Sequence, residues 1–445
     1  MPREPTLIVH DQPQPQHRWI YAGAALLVVA LALGGWLLLK PGPTITYCSG
    51  KDVSTTQSRS VDDFNGSDAA EGAKAKLVDD FESAETADVQ RAEYFDRIDK
   101  GECDVVYLDV AYTPEFASKG LLRDMTSYMT KANRADSFDD RMIATATLDD
   151  KIWGVPKQLD GGVLFYRKDE GTAPATWREV LERSIPHGDE KPGLRFQLDA
   201  YEGLTVVFLE LAYAAGAKSI VSGDGHTARI DQPGTRAALE FMGEVLRRRA
   251  APRTVLKTGD AGSFYNFSIG RAKFLRSWPY VEKRFLAAAK RAQQEPSNSA
   301  DARFTTARNL GVAPLPAWTA GGDKVGILGG HNLVIPATSK HPEEAMRLVE
   351  FLTSSQQILT DAKAASLFPV LKRLDSNPDV QADPALSAVD ELRLEPRPII
   401  PEYADVSREI YTSLRRVLQN GKPADQLPRA LRQIEDRVQD ILDAS

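Results

Sequence analysis

The chain has 445 residues, 42% hydrophobic and 26% charged, with 55 basic against 62 acidic side chains and a formal net charge of −7. This is ordinary for a globular protein, and with no block of five or six Lys/Arg it excludes nucleic acid as a natural partner. Beyond the first 43 residues, roughly 400 remain, enough for two domains or lobes of about 100 to 200 residues each.

Residues 1–18 read as a short N-terminal tail; Arg3 and Arg18 on one side against Lys40 and Lys51 on the other do not set its orientation, and its cytoplasmic side is what the function implied below requires. Residues 19–39, "WIYAGAALLVVALALGGWLLL", carry no charge over 21 positions. At about 1.5 Å per residue that length crosses roughly 30 Å of hydrocarbon. Trp19, Tyr21 and Trp36 lie near its ends, where interfacial aromatics belong. An uncleaved single-pass transmembrane helix is expected. The rival is a cleaved signal peptide, whose apolar region is usually about 7 to 15 residues. Ala30-Leu31-Ala32 resembles a cleavage site, but the apolar run continues past it. No lipoprotein pattern precedes Cys48. Pro41-Gly42-Pro43, within residues 40–43, reads as a short stiff linker.

"TITYC" (44–48) reads as a strand, and a polar loop follows it. The next segment mixes a helix, a turn and a second strand, "AKLVDDF" (75–81). "VQRAEYFDRIDKGE" is helical, and "CDVVYLDV" (103–110) is a third strand. The β-α-β-α-β order implies a parallel, doubly wound sheet. Cys48 ends the first strand and Cys103 begins the third. In parallel neighbours the sulfurs would sit at opposite ends, several residues apart at about 3.3 Å each. A disulfide needs Cα atoms within about 7 Å, so two separate thiols are expected.

From residue 151 the rhythm changes. "KIWGVPKQLDGGVLFYRKD" places two extended runs around "QLDGG". Helices are predicted over "TWREVLERSI", "EGLTVVFLELAYAAGA" and "TRAALEFMGEVLRRR", the last with Ala238, Phe241, Met242, Val245 and Leu246 on one face. "SFYNFSIGRAKFLRSWPY" reads as helix, strand and a Trp-Pro turn. "LGVAPLPAW" and "LGGHNLVIPA" are extended. Pro342 opens a helix, where its missing N–H costs nothing. Two amphipathic helices close the chain.

The six histidines (10, 17, 187, 226, 331 and 341) are scattered, and neither cysteine lies in a C-x-x-C. No phosphate-binding loop, dinucleotide fingerprint or G-x-S-x-G elbow occurs. No metal, cofactor or catalytic residue is expected. What recurs is a polar residue beside an aromatic where an extended run ends: Asp52 and Gln57, Asp109 and Tyr112, Asp160, Trp278 and Tyr280, His331, and Arg397 near Tyr403. Each alone has a bland reading. Asp at a strand end more often caps a turn, a lone Trp is more often core, and a lone surface ion pair contributes under about 1 kcal/mol. Together they suit a sugar. Carboxylates accept from paired hydroxyls, Arg donates as a fork, and indole covers an apolar ring face.

The ordered segments "ITYCSGKD", "CDVVYLDVAYTPEFASKGLL", "WGVPKQLDGGVLFYRKD", "YEGLTVVFLE", "GRAKFLRSWPY", "LGGHNLVIPATSKHPEEAMRLVEFLTS" and "PRPIIPEYADVSREI" resemble the extracellular solute-binding proteins of ABC importers. The maltose/trehalose-type sugar binders are the most similar. The resemblance covers about residues 44 to 440. It implies an α/β, two-lobed clamp with a mainly parallel sheet in each lobe. The chain would cross between lobes near 158–161, 328–332 and 365–370, giving lobe one 44–158 plus 330–366 and lobe two 159–329 plus 367–445. By the same resemblance the cleft residues fall on Asp109, Asp160, Trp278, Gly329, Gly330, His331 and Arg397, with Asp52 and Glu202 as weaker matches. The chain departs from the family pattern at Tyr112, often Trp, at His331, often an aromatic, and at "LDGG" in place of "TDAG". An apparent membrane helix replaces the usual lipid.

The function so implied is not enzymatic. A monomeric chain, with its binding domain on the extracellular side of the cell membrane, would take a disaccharide or short oligosaccharide such as maltose or trehalose. It would deliver that sugar to the importer's permease subunits. Two alternatives stay open: the sensing subunit of a signalling receptor, and a glycoside-processing enzyme using a carboxylate pair such as Asp109 and Asp160.

Overall fold

A computed structural model describes residues 42–52, 54–81, 87–294, 309–421 and 424–444. The expected tail and transmembrane helix lie outside the described residues. Among the described residues no helix is long and apolar enough to cross a membrane.

The first sheet begins with β1 (Thr44–Cys48), β2 (Lys74–Val78) and β3 (Val105–Asp109). All are parallel, in spatial order β2-β1-β3. Helices α1 (Thr56–Asn65) and α2 (Ala87–Asp99) make the crossovers. The apolar run of β3 is buried from Val105 to Leu108, as a strand covered on both faces should be. The second strand is shorter than expected and starts one residue earlier.

Three further strands complete this sheet: β4 (Val155–Asp160), β10 (Arg393–Pro396), and the ten-residue β9 (Val325–Val334), introduced here out of turn because it joins both halves. The C-terminal part of β9 pairs antiparallel with β3 and with β4, while Val325–Leu328 pairs parallel with β10 (Arg393–Pro396). The connector Gly161-Gly162 then carries the chain into a second sheet. That sheet contains β5 (Val163–Arg167), β6 (Leu194–Arg195), β7 (Phe274–Ser277) and β8 (Leu310–Pro314), in order β8-β5-β7-β6.

Two expectations are corrected here. The second sheet is not mainly parallel, because β8·β5 and β5·β7 are antiparallel and only β6·β7 is parallel. Direction there is set by pairings between segments far apart in sequence, not by local crossovers. The cysteines are not separate thiols either. Cys48 and Cys103 form a disulfide with a Cα–Cα distance of 5.8 Å. The expectation ran the third strand straight through Cys103, but β3 starts only at Val105 and the chain bends at residue 104. That bend brings Cys103 back against the end of β1.

Helix α3 (Glu202–Ala214) is buried on every side from Glu202 to Tyr213, as a helix apolar all round must be. It packs on α4 (Pro233–Arg247), on α5 (Tyr403–Asn420) and on β9. The three segments assigned to crossings lie side by side. Asp160 stands opposite Gly329 in the β4·β9 pairing, and the Leu159 amide donates to Phe368 O at 3.1 Å. Gly330 is required where they meet. Its φ is +126°, and a Cβ there would lie 2.1 Å from the Gln158 carbonyl oxygen.

Candidate functional site

A cleft of about 180 Å³ opens where β3 and β4 end, beside the middle of β9 and the start of α3. Eight of the ten expected residues line it: Asp109, Asp160, Glu202, Trp278, Tyr280, Gly330, His331 and Arg397. Asp52 and Gln57 line an adjoining cavity of about 130 Å³ instead. Asp52 accepts from the Ser58 amide at 2.9 Å, and Gln57 accepts from the Tyr47 hydroxyl at 2.7 Å. Both are therefore also engaged in local structure.

Arg397 organises one wall. Its guanidinium donates to Asp109 Oδ1 at 2.7 Å and to Glu202 Oε1 at 3.1 Å. Asp109 keeps its cap as well, accepting from the Ala111 amide at 2.9 Å. The cap reading and the cleft reading of this acid hold together. Glu202 is buried in the first turn of α3 and accepts from Tyr403 Oη at 2.6 Å and from the Ser407 hydroxyl. Burial raises the Glu202 carboxyl to about 7, against the pull of Arg397. Asp160 is raised to about 7 by burial too, with the Gly161 amide and Arg276 opposing. Glu115, the other acid of this region, does not line the cleft; it is held by Arg91 and Lys119.

Trp278 rests on a buried ion pair. Arg276 and Glu210 are essentially unexposed, joined by two hydrogen bonds, and the Arg276 guanidinium lies 4.1 Å from the indole centroid. Gly162 makes room for that pair, since a Cβ would fall 2.4 Å from Glu210 Oε1. His331 is stacked flat on Tyr107, with ring centroids 3.9 Å apart and planes 7° apart. Burial drops the imidazole to about 4, so the ring is neutral near pH 7.

Sequence reasoning missed several contributors. Asp88, at the start of α2, accepts from Tyr112 Oη at 3.0 Å and from the Glu202 amide at 3.3 Å. It thereby meets the positive end of α3. Tyr201 donates to Asp260 at 2.8 Å, and both line the cleft with Gln90 and Arg91. Tyr112 sits beside Asp109 in sequence, a visible signal; Asp88 carries none, because its partners are more than a hundred residues away for the amide and 24 for the phenol.

Chemically, the cleft offers clustered carboxylate acceptors, a forked cation and an aromatic face. Among the described residues no cluster of His, Cys, Asp and Glu suited to a metal occurs. These features suit a cleft that takes a hydroxyl-bearing ligand. The family model of bacterial extracellular solute-binding proteins matches residues 96–388, and the chain belongs to that family. Over 292 residues it is 31% identical to the "Probable ABC transporter-binding protein" of Deinococcus radiodurans, covering 63% of this chain and 65% of that one. It is 25% identical over 309 residues to the "Galactooligosaccharide-binding protein" of Bacillus subtilis (strain 168), covering 65% and 66%. The chain thus spans just under two thirds of the length of these curated relatives. It superposes on the solved structure "Maltose bound T. maritima MalE3" with a TM-score of 0.75 at 24% identity, over 89% of this chain and 99% of that one. That likeness bears on the fold.

Proposed function

We propose that this chain is the sugar-capturing component of an ABC importer. It binds a disaccharide or short oligosaccharide, such as maltose or trehalose, outside the cytoplasmic membrane and presents it to permease subunits as a monomer tethered through residues 19–39. The observation that carries the reading is the convergence of Asp109, Asp160, Glu202, Arg397 and Trp278 on one cleft. Acids and Arg complement hydroxyls, and indole complements a ring face. The lobe boundaries expected from the sequence are retained in this reading, with the ligand held between 44–158 plus 330–366 and 159–329 plus 367–445. The names of the matched relatives support it. The carboxylate-pair hydrolase reading has less support, since Asp109 is committed to Arg397 and to a backbone amide.

A thermal-shift screen of maltose, trehalose, galactooligosaccharides and monosaccharides tests the proposal. A ligand bound only by the native state raises the midpoint by mass action. At least one sugar at millimolar concentration is expected to raise it by several degrees. No shift with any of them overturns the reading.

A further inference from the structure

Resting on the sugar-binding reading and its two-lobe assignment, we infer that Asp88 is a positioning residue that caps helix α3 from the far side of the cleft, and so sets how long the cleft retains a sugar it holds. Ala87, Gln90 and Arg91, its neighbours on α2, line the cleft, whereas Asp88 does not. Opposite them, Glu202, Gly203 and Val206, from the first turns of α3, line the same cleft. The two helices therefore face each other across the ligand space, and Asp88 joins them outside it.

The need for a cap arises in α3 itself. The first amides of a helix have no partners within it, and a side chain at the N-cap position usually takes one. Here Tyr201 holds that position in extended conformation and its side chain makes no cap bond. Its hydroxyl goes to Asp260 instead. The Glu202 amide finds its acceptor 114 residues earlier in the chain, in Asp88 Oδ2 at 3.3 Å. The other oxygen of that carboxylate takes the Tyr112 hydroxyl at 3.0 Å, so a residue of lobe one aims the group. Tyr411, on α5, is a further hydrogen-bonding partner from the α3 side. Asp88 thus gathers donors from both lobes.

The bond to the Glu202 amide crosses the line along which the lobes part. The connecting segments lie side by side, with Asp160 opposite Gly329 and the Leu159 amide on Phe368 O. A few torsions there suffice to swing one lobe from the other. Such a swing leaves α2 and α3 intact and breaks the cap. Apparent affinity scales with the fraction of molecules in the binding-competent state. A contact made only with the lobes together, and away from the ligand, raises affinity for every ligand by one factor. Arg397 and Asp109 also meet between the lobes, but both line the cleft, so a change at either alters ligand contacts as well. Asp88 separates the two effects.

The test compares the full chain with Asp88→Ala and Asp88→Asn. Asn keeps an oxygen for the Glu202 amide and can donate to the Tyr112 oxygen. Amide hydrogen exchange of the unliganded proteins is followed at the first turn of α3. Affinity and dissociation rate are measured with glucose, galactose, maltose, trehalose and maltotriose, beside melts that establish folding. Asp88→Ala is expected to speed exchange at the start of α3. It should weaken every bound sugar by a common factor of about three- to thirtyfold, the range that loss of a helix cap gives in an equilibrium. The loss should lie in the dissociation rate, and Asp88→Asn should recover most of it. Unchanged exchange at α3, affinity within about twofold of wild type in a folded Asp88→Ala protein, a loss that differs among sugars, or an Asn variant as weak as Ala overturns this inference and leaves the sugar reading standing. Failure of wild type to bind any of the five overturns the sugar reading and the retention role with it, and exchange at α3 then decides the cap alone.

Discussion

Replacing Glu210 by Gln leaves Arg276 buried opposite a neutral partner. Both side chains are essentially unexposed, and two hydrogen bonds join them. Breaking a buried pair by neutralising one member typically costs about 3 to 5 kcal/mol, because the remaining charge cannot recover its hydration. Gln keeps one acceptor oxygen, so the lower end, about 3 kcal/mol, is expected. Set against a typical net stability of about 5 to 15 kcal/mol, that is a large fraction. At a urea slope of about 3 kcal/mol per M it moves the unfolding midpoint by about 1 M. Urea unfolding followed by tryptophan fluorescence measures it. The double change Arg276→Met with Glu210→Leu removes both charges and fills the space, and is expected to return stability to within about 1 kcal/mol of wild type. A Glu210→Gln protein within about 1 kcal/mol of wild type would refute the reasoning, and with it the view that this pair holds the shelf under Trp278.

Trp278→Ala should weaken sugar binding by about 1 to 3 kcal/mol, the range of base stacking on aromatic side chains; calorimetry with unchanged affinity would count against the ring-face role. Cys48→Ser with Cys103→Ser opens a link between residues 55 apart, worth about 4 kcal/mol in the loop-entropy account, and a melting midpoint unmoved by the change would contradict it. Gly330→Ala puts a Cβ 2.1 Å from a carbonyl oxygen at φ +126°; a loss of more than about 2 kcal/mol is expected, since incompatible backbone geometry has to be forced, and urea unfolding checks it. Glu202, raised to about 7, holds its proton in the folded state over a window where the unfolded chain has released it. Between about pH 4.5 and 7 its contribution to stability therefore falls as pH rises. Melts across that window should slope less in Glu202→Gln than in wild type, and equal slopes would rule the assignment out.

Much of this architecture could be read from local pattern. The β-α-β-α-β order at the N-terminus is set by crossovers of adjacent segments, and β1, β2 and β3 are parallel for that reason. Asp109 and Asp160, at strand ends, announced themselves because an apolar run stops at a polar side chain, whereas His331, read as the start of an extended run after Gly329-Gly330, lies inside β9. The second sheet gave no such cue. β5 takes β8 and β7 as partners from more than a hundred residues on, and nothing local encodes their direction. The disulfide was misread for a related reason: a bend one residue before β3 decides it, and strand propensity runs through that bend. Asp88 and Asp260 were missed because their roles come from tertiary neighbours, not from their own segments. Asp52 and Gln57 line the adjoining cavity and not the cleft that holds the other expected residues, a distinction that spacing along the chain cannot carry.

Strand β9 has one more implication. Its first four residues are registered against β10, and its last six against β3 and β4, where Gly329, Gly330 and His331 meet the cleft. Side chains alternate with period two, so a one-residue slip turns every one to the opposite face. A single insertion or deletion within Val325–Leu328 would therefore turn that stretch over against β10, or be taken up as a bulge, while Gly330 stays pinned by its close approach to the Gln158 carbonyl oxygen. A length change in this strand is thus felt at the junction of its two halves, before any residue that lines the cleft is displaced.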